Sequence, residues 1–305
     1  MNAAEQRPQV ERVEFNELAC WRVRTVEAEL LVAQQGAQIL SYQRDGERPL
    51  IWLSEQAEFK QGQGVRGGVP ICWPWFGDLR RNPQAVQELY QGGSLVPAHG
   101  LVRSLDWQLL GIDSQDAGVS LNFGFNSREH LLPTWPHAAE LQLRIRLDQR
   151  LHLELSSRNL GDTPLAISQA LHTYYAVGDI RRVEVEGLHG CRYVDTLDDW
   201  QQRQQSGALG FAGETDRIYL DTPAQLSIRD PAWQRRIQLH SSGSGSAVLW
   251  NPWIDKAKHL SQFADDAWQG MLCVEHAKVL NDILVLPPGE QHRLSLSLWT
   301  EPLSA

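Results

Sequence analysis

Two polar side chains interrupt segments that are otherwise largely apolar and strand-like. His172 lies in segment 168–175, and Glu275 lies in segment 271–277. A histidine and a carboxyl group are the residue types that proton transfer at neutral pH requires. If Glu275 points inward, burial raises the pKa of its carboxyl group and makes it a better base; if it points outward, it is an ordinary surface carboxylate. The residues alone leave both interpretations open.

The same region gives little support for a metal site. Glu275 and His276 are neighbours, and neighbouring residues on a strand face opposite sides. No H-E-x-x-H motif accompanies them. The cysteines lie far apart without a C-x-x-C pair, which predicts reduced, mostly buried thiols rather than a zinc or redox motif. They are Cys20, Cys72, Cys191 and Cys273.

A glycine-rich segment surrounds one arginine. In segment 62–68, four glycines flank Arg66. Glycine lets the backbone approach a ligand closely, and a guanidinium group donates in a fork to carboxylate or phosphate oxygens. The alternative is a tight crossover between sheets with Arg66 solvated, and the residues favour neither. A second segment, 97–103, places His99 and Arg103 around Gly100, where a lone histidine is more often packed or exposed than catalytic.

Tryptophan is over-represented among the aromatic residues. The chain has 12 Trp against 7 Phe and 6 Tyr. Indole rings stack well on the apolar faces of sugars, whereas core packing is the simpler explanation. Several of these residues lie in loops rich in Gly or Pro, at 72–77 and 250–253, and loops on a rigid scaffold commonly carry binding sites.

The elements that must position these side chains are mainly strands. Apolar and polar residues alternate over 139–147 and 151–155 with a turn at 148–150, which predicts an antiparallel hairpin. The same alternation occurs at 119–125 and 294–298. A short helix is predicted over 254–263, and the Ser/Gly-rich segment 241–246 is expected to be a surface hairpin loop. Many strands, few helices and no linker favour a single all-β domain, a large antiparallel sandwich.

The amino-acid composition limits the kinds of partner that the protein is expected to bind. The 305 residues carry 37 acidic and 28 basic side chains, a formal net charge of −9. This balance argues against nucleic acid as a partner. No apolar run reaches the roughly 18 residues of a membrane helix, and the amino terminus lacks a signal-peptide pattern. We therefore expect a cytoplasmic protein that does not bind membranes.

Five segments, taken in order, resemble the motifs of a known enzyme family, the glucose-6-phosphate 1-epimerases. These are the hexose-6-phosphate mutarotases of the aldose 1-epimerase superfamily. The segments are 64–77, 99–103, 171–174, 216–219 and 274–275. The resemblance implies an all-β, galactose-mutarotase-like supersandwich of antiparallel strands with a few short helices. It implies a single domain over 1–305, with about 20–300 forming the folded sandwich. It further implies interconversion of the α and β anomers of D-glucose 6-phosphate without a metal or an organic cofactor.

The resemblance also assigns roles to individual residues. His172 matches a general acid that acts on the ring oxygen, and Glu275 matches a general base that acts on the anomeric hydroxyl. Arg66 and Arg103 match arginines that hold the phosphate end of the substrate.

Three further positions follow from the same comparison. Asp216 matches a carboxylate that binds the substrate. His99 falls on a His-Gly motif, where it orients the sugar or braces its loop. Ala98 departs from the pattern, because some members carry a glutamine there as a substrate contact.

Other functions are compatible with the residues. One is a mutarotase for unphosphorylated aldoses, and another is a non-catalytic carbohydrate-binding sandwich or interaction domain. In each enzyme interpretation the partner is a small-molecule sugar. Exposed strand edges permit either a monomer or a weak homodimer.

Overall fold

Strands dominate the computed structural model, which describes residues 8–115 and 118–303. The strands are β1 (Gln9–Phe15), β2 (Leu18–Arg24), β3 (Ala28–Ala33), β4 (Ile39–Arg44), β5 (Ile71–Cys72), β6 (Gln108–Gln115), β7 (Gly118–Asn126), β8 (Ala139–Leu147), β9 (Leu151–Asn159), β10 (Leu165–Ile167), β11 (Gln169–Leu171), β12 (Tyr174–Ala176), β13 (Glu184–Glu186), β14 (Arg192–Asp195), β15 (Gln201–Gln204), β16 (Leu209–Gly210), β17 (Thr215–Leu220), β18 (Gln225–Asp230), β19 (Arg235–Ser242), β20 (Ser246–Asn251), β21 (Met271–Lys278), β22 (Leu284–Leu286) and β23 (Gln291–Pro302). The short helices are α1 (Gln84–Gln87) and α2 (Trp253–Ala257), with 3-10 turns at Leu79–Arg81, Val102–Ser104, Ile180–Arg182, Ala267–Gly270 and Leu280–Asp282.

Two large sheets form the body of the molecule. One has the order β16-β13-β18-β19-β23-β9-β8-β7-β6, and the other has the order β15-β14-β17-β20-β21-β11-β5, with β12 also paired to β21. Two smaller sheets, β1-β2-β3-β4 and β10-β22, complete the described part of the chain. The pairings between these strands are antiparallel throughout the described ranges. The predicted all-β class is therefore confirmed.

The core lies between the two large sheets. Alternate residues of β8, including Leu141 and Ile145, are fully buried and share one hydrophobic cluster with Leu249 of β20 and Val274 of β21. The predicted hairpin is confirmed, because Leu147 pairs with Leu151 across the turn. In a strand with one buried face, apolar and polar residues alternate along the sequence. β21 lies within its sheet and is instead buried over nearly its whole length.

Two local predictions need correction. Helix α2 spans Trp253–Ala257 and stops well short of residue 263. The backbone beyond it is held by tertiary contacts, since the Ser261 carbonyl accepts from Arg66 and Gln262 adopts a left-handed φ of 56°. The Ser/Gly-rich segment is not a hairpin loop either. It connects β19 of one large sheet to β20 of the other, so it carries the chain between the layers.

Among the described residues, no helix has the length and apolar composition needed to cross a bilayer.

Candidate active site

Glu275 lies on β21 in the middle of its sheet, between β20 and β11. Its side chain is only 2% exposed, and its Oε2 atom has no hydrogen-bond partner among the described residues. His276, the next residue, belongs to the opposite face of the strand, as alternation requires. Of the two orientations that the sequence left open, the inward one is correct.

His172 follows β11, the neighbour of β21, and its ring faces Glu275. The Nε2 atom of His172 lies 3.4 Å from Oε1 of Glu275. The backbone N–H of His172 donates to the carbonyl of Pro70, and its imidazole stacks on Tyr174 with ring centres 4.9 Å apart and planes 8° from parallel. These contacts hold His172 and Glu275, hereafter the His–Glu pair, in one orientation.

Burial shifts both members of the His–Glu pair toward their uncharged forms. It raises the pKa of Glu275 well above its usual range, and the nearby charge of Asp216 raises it further. Burial also lowers the pKa of His172, and the neighbouring His99 and Arg103 act in the same direction. Burial therefore favours the arrangement in which the single proton of the pair is on the carboxyl group over the ion pair.

His99 lies beside His172, with ring centres 5.1 Å apart. Its Nδ1 atom accepts the backbone N–H of Gly77 at 3.3 Å and lies 3.3 Å from the Sγ atom of Cys72. Burial, together with the charges of Arg103 and Arg66, lowers the pKa of His99 to about 3, so the ring is neutral. Because Nδ1 accepts, the remaining ring proton must be on Nε2, which makes His99 a fixed hydrogen-bond donor.

The glycine-rich segment brings Arg66 into the site. Gly68 has a φ of +72°, and a Cβ atom there would lie 2.1 Å from the carbonyl oxygen of Ile39, so only glycine fits. Arg66 donates through Nε to the carbonyl of Ser261 at 3.3 Å, and its Nη1 lies 3.5 Å from the hydroxyl of Tyr174. Arg66 is therefore not a solvated crossover residue. Because a guanidinium group has five N–H donors, Arg66 also retains donors that can bind a ligand.

These residues surround a cavity of about 500 Å³. It is lined by Arg66, Phe76, Gly77, Asp78, Arg81, Asn82, His99, His172, Tyr174, Thr196, Leu197, Trp200, Asp216, Ile218, Val248, Trp250, Lys256, Leu260, Glu275, Val279 and Leu280. Five of the six predicted site residues are in this lining, and the sixth, Arg103, is not.

Arg103 lies in the 3-10 turn Val102–Ser104, outside the cavity wall. A Cβ atom on Gly64 would lie 3.6 Å from its Nε atom, so its guanidinium group packs along the glycine-rich segment. Its positive charge still lowers the pKa of His99, which puts it within electrostatic range of the site.

Asp216 lies on β17 and lines the cavity. Burial raises the pKa of its carboxyl group. The backbone carbonyl of the same residue accepts from the hydroxyl of Thr196 at 3.1 Å, which ties β17 to the loop after β14.

The tryptophans divide between the two interpretations. Trp250 and Trp200 line the cavity, where their indole rings can contact a sugar. Trp73 and Trp75 of the 72–77 loop are instead fully buried core residues.

One set of ligand-type side chains could hold a metal ion. Ligand atoms of His172, Cys273 and Glu275 all lie within 4.8 Å of one another. His276 is not part of this set, in line with its orientation on the strand. Proton transfer between the His–Glu pair and a ligand needs no metal ion.

Comparison with known proteins gives this geometry its context. The family model of the aldose 1-epimerases matches residues 21–299. The chain belongs to the aldose 1-epimerase family. It is 35% identical over 271 residues to an Escherichia coli protein named as a candidate glucose-6-phosphate 1-epimerase, covering 88% of this chain and 86% of that protein.

Two solved structures have a fold similar to that of this chain. A candidate mutarotase of Salmonella typhimurium has a TM-score of 0.86 and 31% identity, covering 96% of this chain and 94% of that one. A galactose mutarotase-like protein of Clostridium acetobutylicum has a TM-score of 0.71 at 14% identity, covering 97% and 98%. The protein is thus an isomerase of the epimerase and mutarotase type with the galactose-mutarotase-like sandwich that the sequence predicts.

Several cavity residues of this aldose 1-epimerase have no role assigned from the sequence. Tyr174 lies in a segment that resembles a family motif but receives no role from it, and Arg81, Trp200 and Lys256 lie outside the five segments. Arg81 and Lys256 lie in segments without local glycine or histidine patterns, so their types and spacing gave no signal. The excess of tryptophan was the only indication of Trp200.

Proposed function

We propose that this protein interconverts the α and β anomers of D-glucose 6-phosphate and related hexose 6-phosphates. One observation carries the proposal: His172 Nε2 and Glu275 Oε1 face each other at 3.4 Å at a cavity that also contains Arg66. A base and an acid at this spacing can both reach the anomeric centre of one sugar ring. The relatives named as glucose-6-phosphate 1-epimerases support the same substrate class.

Ring opening removes one proton from the sugar and delivers one proton to it. The Glu275 carboxylate takes the proton from the anomeric hydroxyl while the His172 imidazolium gives a proton to the ring oxygen. The bond between C1 and the ring oxygen breaks, and the C1–O1 bond becomes the carbonyl of the open-chain aldehyde. Rotation about C1–C2 presents the other face, and closure reverses both transfers. Atoms and charge balance without a nucleophile.

The His–Glu pair is suited to this cycle because its proton count never changes. Ring opening converts the ion pair, Glu⁻ and HisH⁺, into the neutral pair, GluH and His. Burial disfavours the ion pair, as the raised pKa of Glu275 and the lowered pKa of His172 indicate. The neutral pair is therefore the more stable form before the reaction, so the proton must pass from Glu275 to His172 before ring opening. From the resulting ion pair, burial favours the proton transfers that restore the neutral pair.

The remaining lining residues are proposed to hold the sugar. Asp216 accepts from sugar hydroxyls, and His99 donates through Nε2 because its Nδ1 atom is occupied by Gly77. The indole of Trp250 covers an apolar ring face. Together these contacts fix which oxygen faces the His–Glu pair.

Arg66 is proposed to bind the phosphate. Its Nη2 group makes no hydrogen bond within the described part of the chain, and charge-assisted hydrogen bonds of arginine to phosphate are strong. Arg103 contributes its charge from behind the wall rather than by contact. Close to the phosphate, these two local positive charges outweigh the long-range repulsion from the formal net charge of −9, which salt screens beyond about 8 Å.

The test is anomer exchange at equilibrium, followed by NMR with purified protein on glucose 6-phosphate and on free glucose side by side. Fast exchange of the phosphate ester with little on glucose is the expected result. Equal enhancement of both sugars would contradict the proposed phosphate specificity. No enhancement of either sugar would contradict the activity and favour a carbohydrate-binding sandwich.

A further inference from the structure

A cation not predicted from the sequence stands at the rim of the cavity. Arg81 is exposed, and its guanidinium carbon lies 5.0 Å from the centre of the Trp200 ring. Both residues line the cavity. A guanidinium group over an indole face makes a cation–π contact, which at an exposed site is weak but directional. The contact holds a positive charge beside the entrance.

The backbone under this contact is strained. Trp200 lies in the turn Asp198–Gln201 between β14 and β15, which is closed by a hydrogen bond from the Gln201 N–H to the Asp198 carbonyl at 2.9 Å. Asp199 and Trp200 both have left-handed backbones, with φ of 45° and 59°. Asparagine and glycine suit such a turn, and a bulky residue is strained there. The strain is explained if the indole is needed where it supports Arg81.

A duplicated turn shows that Arg81 is not needed for local structure. Asp78 caps the turn that ends at Arg81, and Asp179 caps the turn that ends at Arg182 in the same way, through the sequence Asp-x-Arg-Arg. In each turn the first arginine pairs with the capping aspartate, at 2.7 Å and 2.8 Å respectively. In both turns the second arginine does not pair with the capping aspartate.

The other charges of the rim are already matched. Lys256 pairs with Glu214 at 3.5 Å, and Asp78 is taken by the first arginine of its turn. Within residues 8–115 and 118–303, the Arg81 guanidinium group makes no ion pair and no hydrogen bond. Arg81 is therefore a cation at the cavity entrance with no ion-pair partner among the described residues, and its charge also acts on the nearby Asp78.

We propose that Arg81, held on Trp200, captures the phosphate dianion of the substrate at the mouth of the cavity. This inference rests on the proposed function. A phosphate monoester carries about −1.5 to −2 charges at pH 7. Arg66 carries one positive charge, and the His–Glu pair with its single proton adds no net charge, so contact with Arg66 alone does not balance an incoming dianion. Arg81 supplies the additional positive charge where the substrate enters.

The expected effect follows from Coulomb's law. A unit charge and a dianion about 8 Å apart in water attract each other enough to change binding about 5-fold. An exposed contact of this kind is screened by salt, because the Debye length falls from about 30 Å at 0.01 M to about 3 Å at 1 M. A partly buried contact such as that of Arg66 is screened much less.

The test compares Arg81→Ala with Arg182→Ala, which removes the same charge from the same kind of turn outside the cavity lining. Arg81→Ala is expected to lower kcat/KM for glucose 6-phosphate about 5-fold at low salt, mainly through KM. The loss should disappear near 1 M salt, and any residual exchange of free glucose should be unchanged. Trp200→Leu should give part of the same loss. Arg182→Ala should match the wild type.

Equal effects of the two arginine substitutions, or a loss that also affects free glucose, would overturn the role of Arg81. The proposed function fails separately, if the wild type does not exchange glucose 6-phosphate anomers. In that case calorimetric titration with inorganic phosphate decides the role of the cation. Weaker binding to Arg81→Ala than to Arg182→Ala supports an anion-capture role, and equal binding contradicts it.

Discussion

Removing both members of the His–Glu pair should cost little more than removing one. His172 Nε2 and Glu275 Oε1 lie 3.4 Å apart, and in the proposed cycle each proton that one gains is matched by a proton that the other loses. A general acid or base typically contributes about 10²- to 10⁴-fold. Glu275→Gln and His172→Gln should therefore each lower kcat about 10²- to 10⁴-fold, which corresponds to a rise of about 3 to 5.5 kcal/mol in the activation free energy. If the two residues act as one unit, the double variant should lie within about tenfold of the slower single variant.

The assay is two-dimensional exchange NMR on glucose 6-phosphate at equilibrium, with the spontaneous exchange rate subtracted. His276→Gln is the matched control, because His276 is a buried neighbour on the same strand but faces away from Glu275. It should retain kcat while reporting the cost of altering a buried site on β21. Circular dichroism and urea unfolding of all four variants separate loss of fold from loss of chemistry.

Two results would refute this reasoning. Losses that multiply, to about 10⁴- to 10⁸-fold in the double variant, would mean that the two side chains act on independent steps. Near-normal turnover in Glu275→Gln would remove the proposed base altogether, whatever the double variant does.

Further expectations concern pH, binding and stability. The pH profile of kcat on glucose 6-phosphate should fall at high pH, when the pair loses its shared proton, and at low pH, when it gains a second. Because burial raises the pKa of Glu275 and lowers that of His172, the high-pH limb should lie above the usual carboxyl range and the low-pH limb below the usual imidazole range. A high-pH limb in the usual carboxyl range, or a low-pH limb at or above the usual imidazole range, would contradict this. Arg66→Ala should raise KM for the phosphate ester at least about tenfold with a smaller change in kcat, as steady-state kinetics would report. Gly68→Ala should lower the free energy of unfolding by at least about 2 kcal/mol in urea titration, against about 1 kcal/mol for Gly46→Ala, where the left-handed φ is similar but a Cβ atom meets nothing within 4 Å.

The sequence predicted the regular parts of the fold well. Alternation over 139–155 identified β8, β9 and their turn, because a strand with one buried face repeats every two residues and the pattern is local. Sheet membership is not local. Segment 241–246 has the composition of a hairpin loop, yet it connects β19 and β20 of different sheets. The predicted helix failed at its carboxyl end for the same kind of reason, since Arg66, almost 200 residues away, holds the carbonyl of Ser261.

The site was predictable only in part. His172 and Glu275 stand out in the sequence as polar residues within apolar segments. Whether they face each other depends on the register between β11 and β21, which no local pattern contains. Arg103 matched a motif and yet lies outside the cavity lining, because one 3-10 turn directs it along Gly64. Arg81 lies outside the segments that resemble the family motifs, and its position depends on an indole from a distant turn.

The two kinds of cavity residue differ in what supports them. His172 and Glu275 lie on or directly after neighbouring strands, where the Val274 N–H donates to the Thr173 carbonyl at 3.2 Å and locks the separation between them. Proton transfer demands this, since a displacement of about 1 Å can cost about 10²-fold. Arg66 lies in a glycine-rich segment, and Arg81 ends a 3-10 turn capped by Asp78. A turn can change length or residue without shifting the ladder, so the recognition of the substrate's phosphate can vary in this fold while the geometry of proton transfer stays fixed.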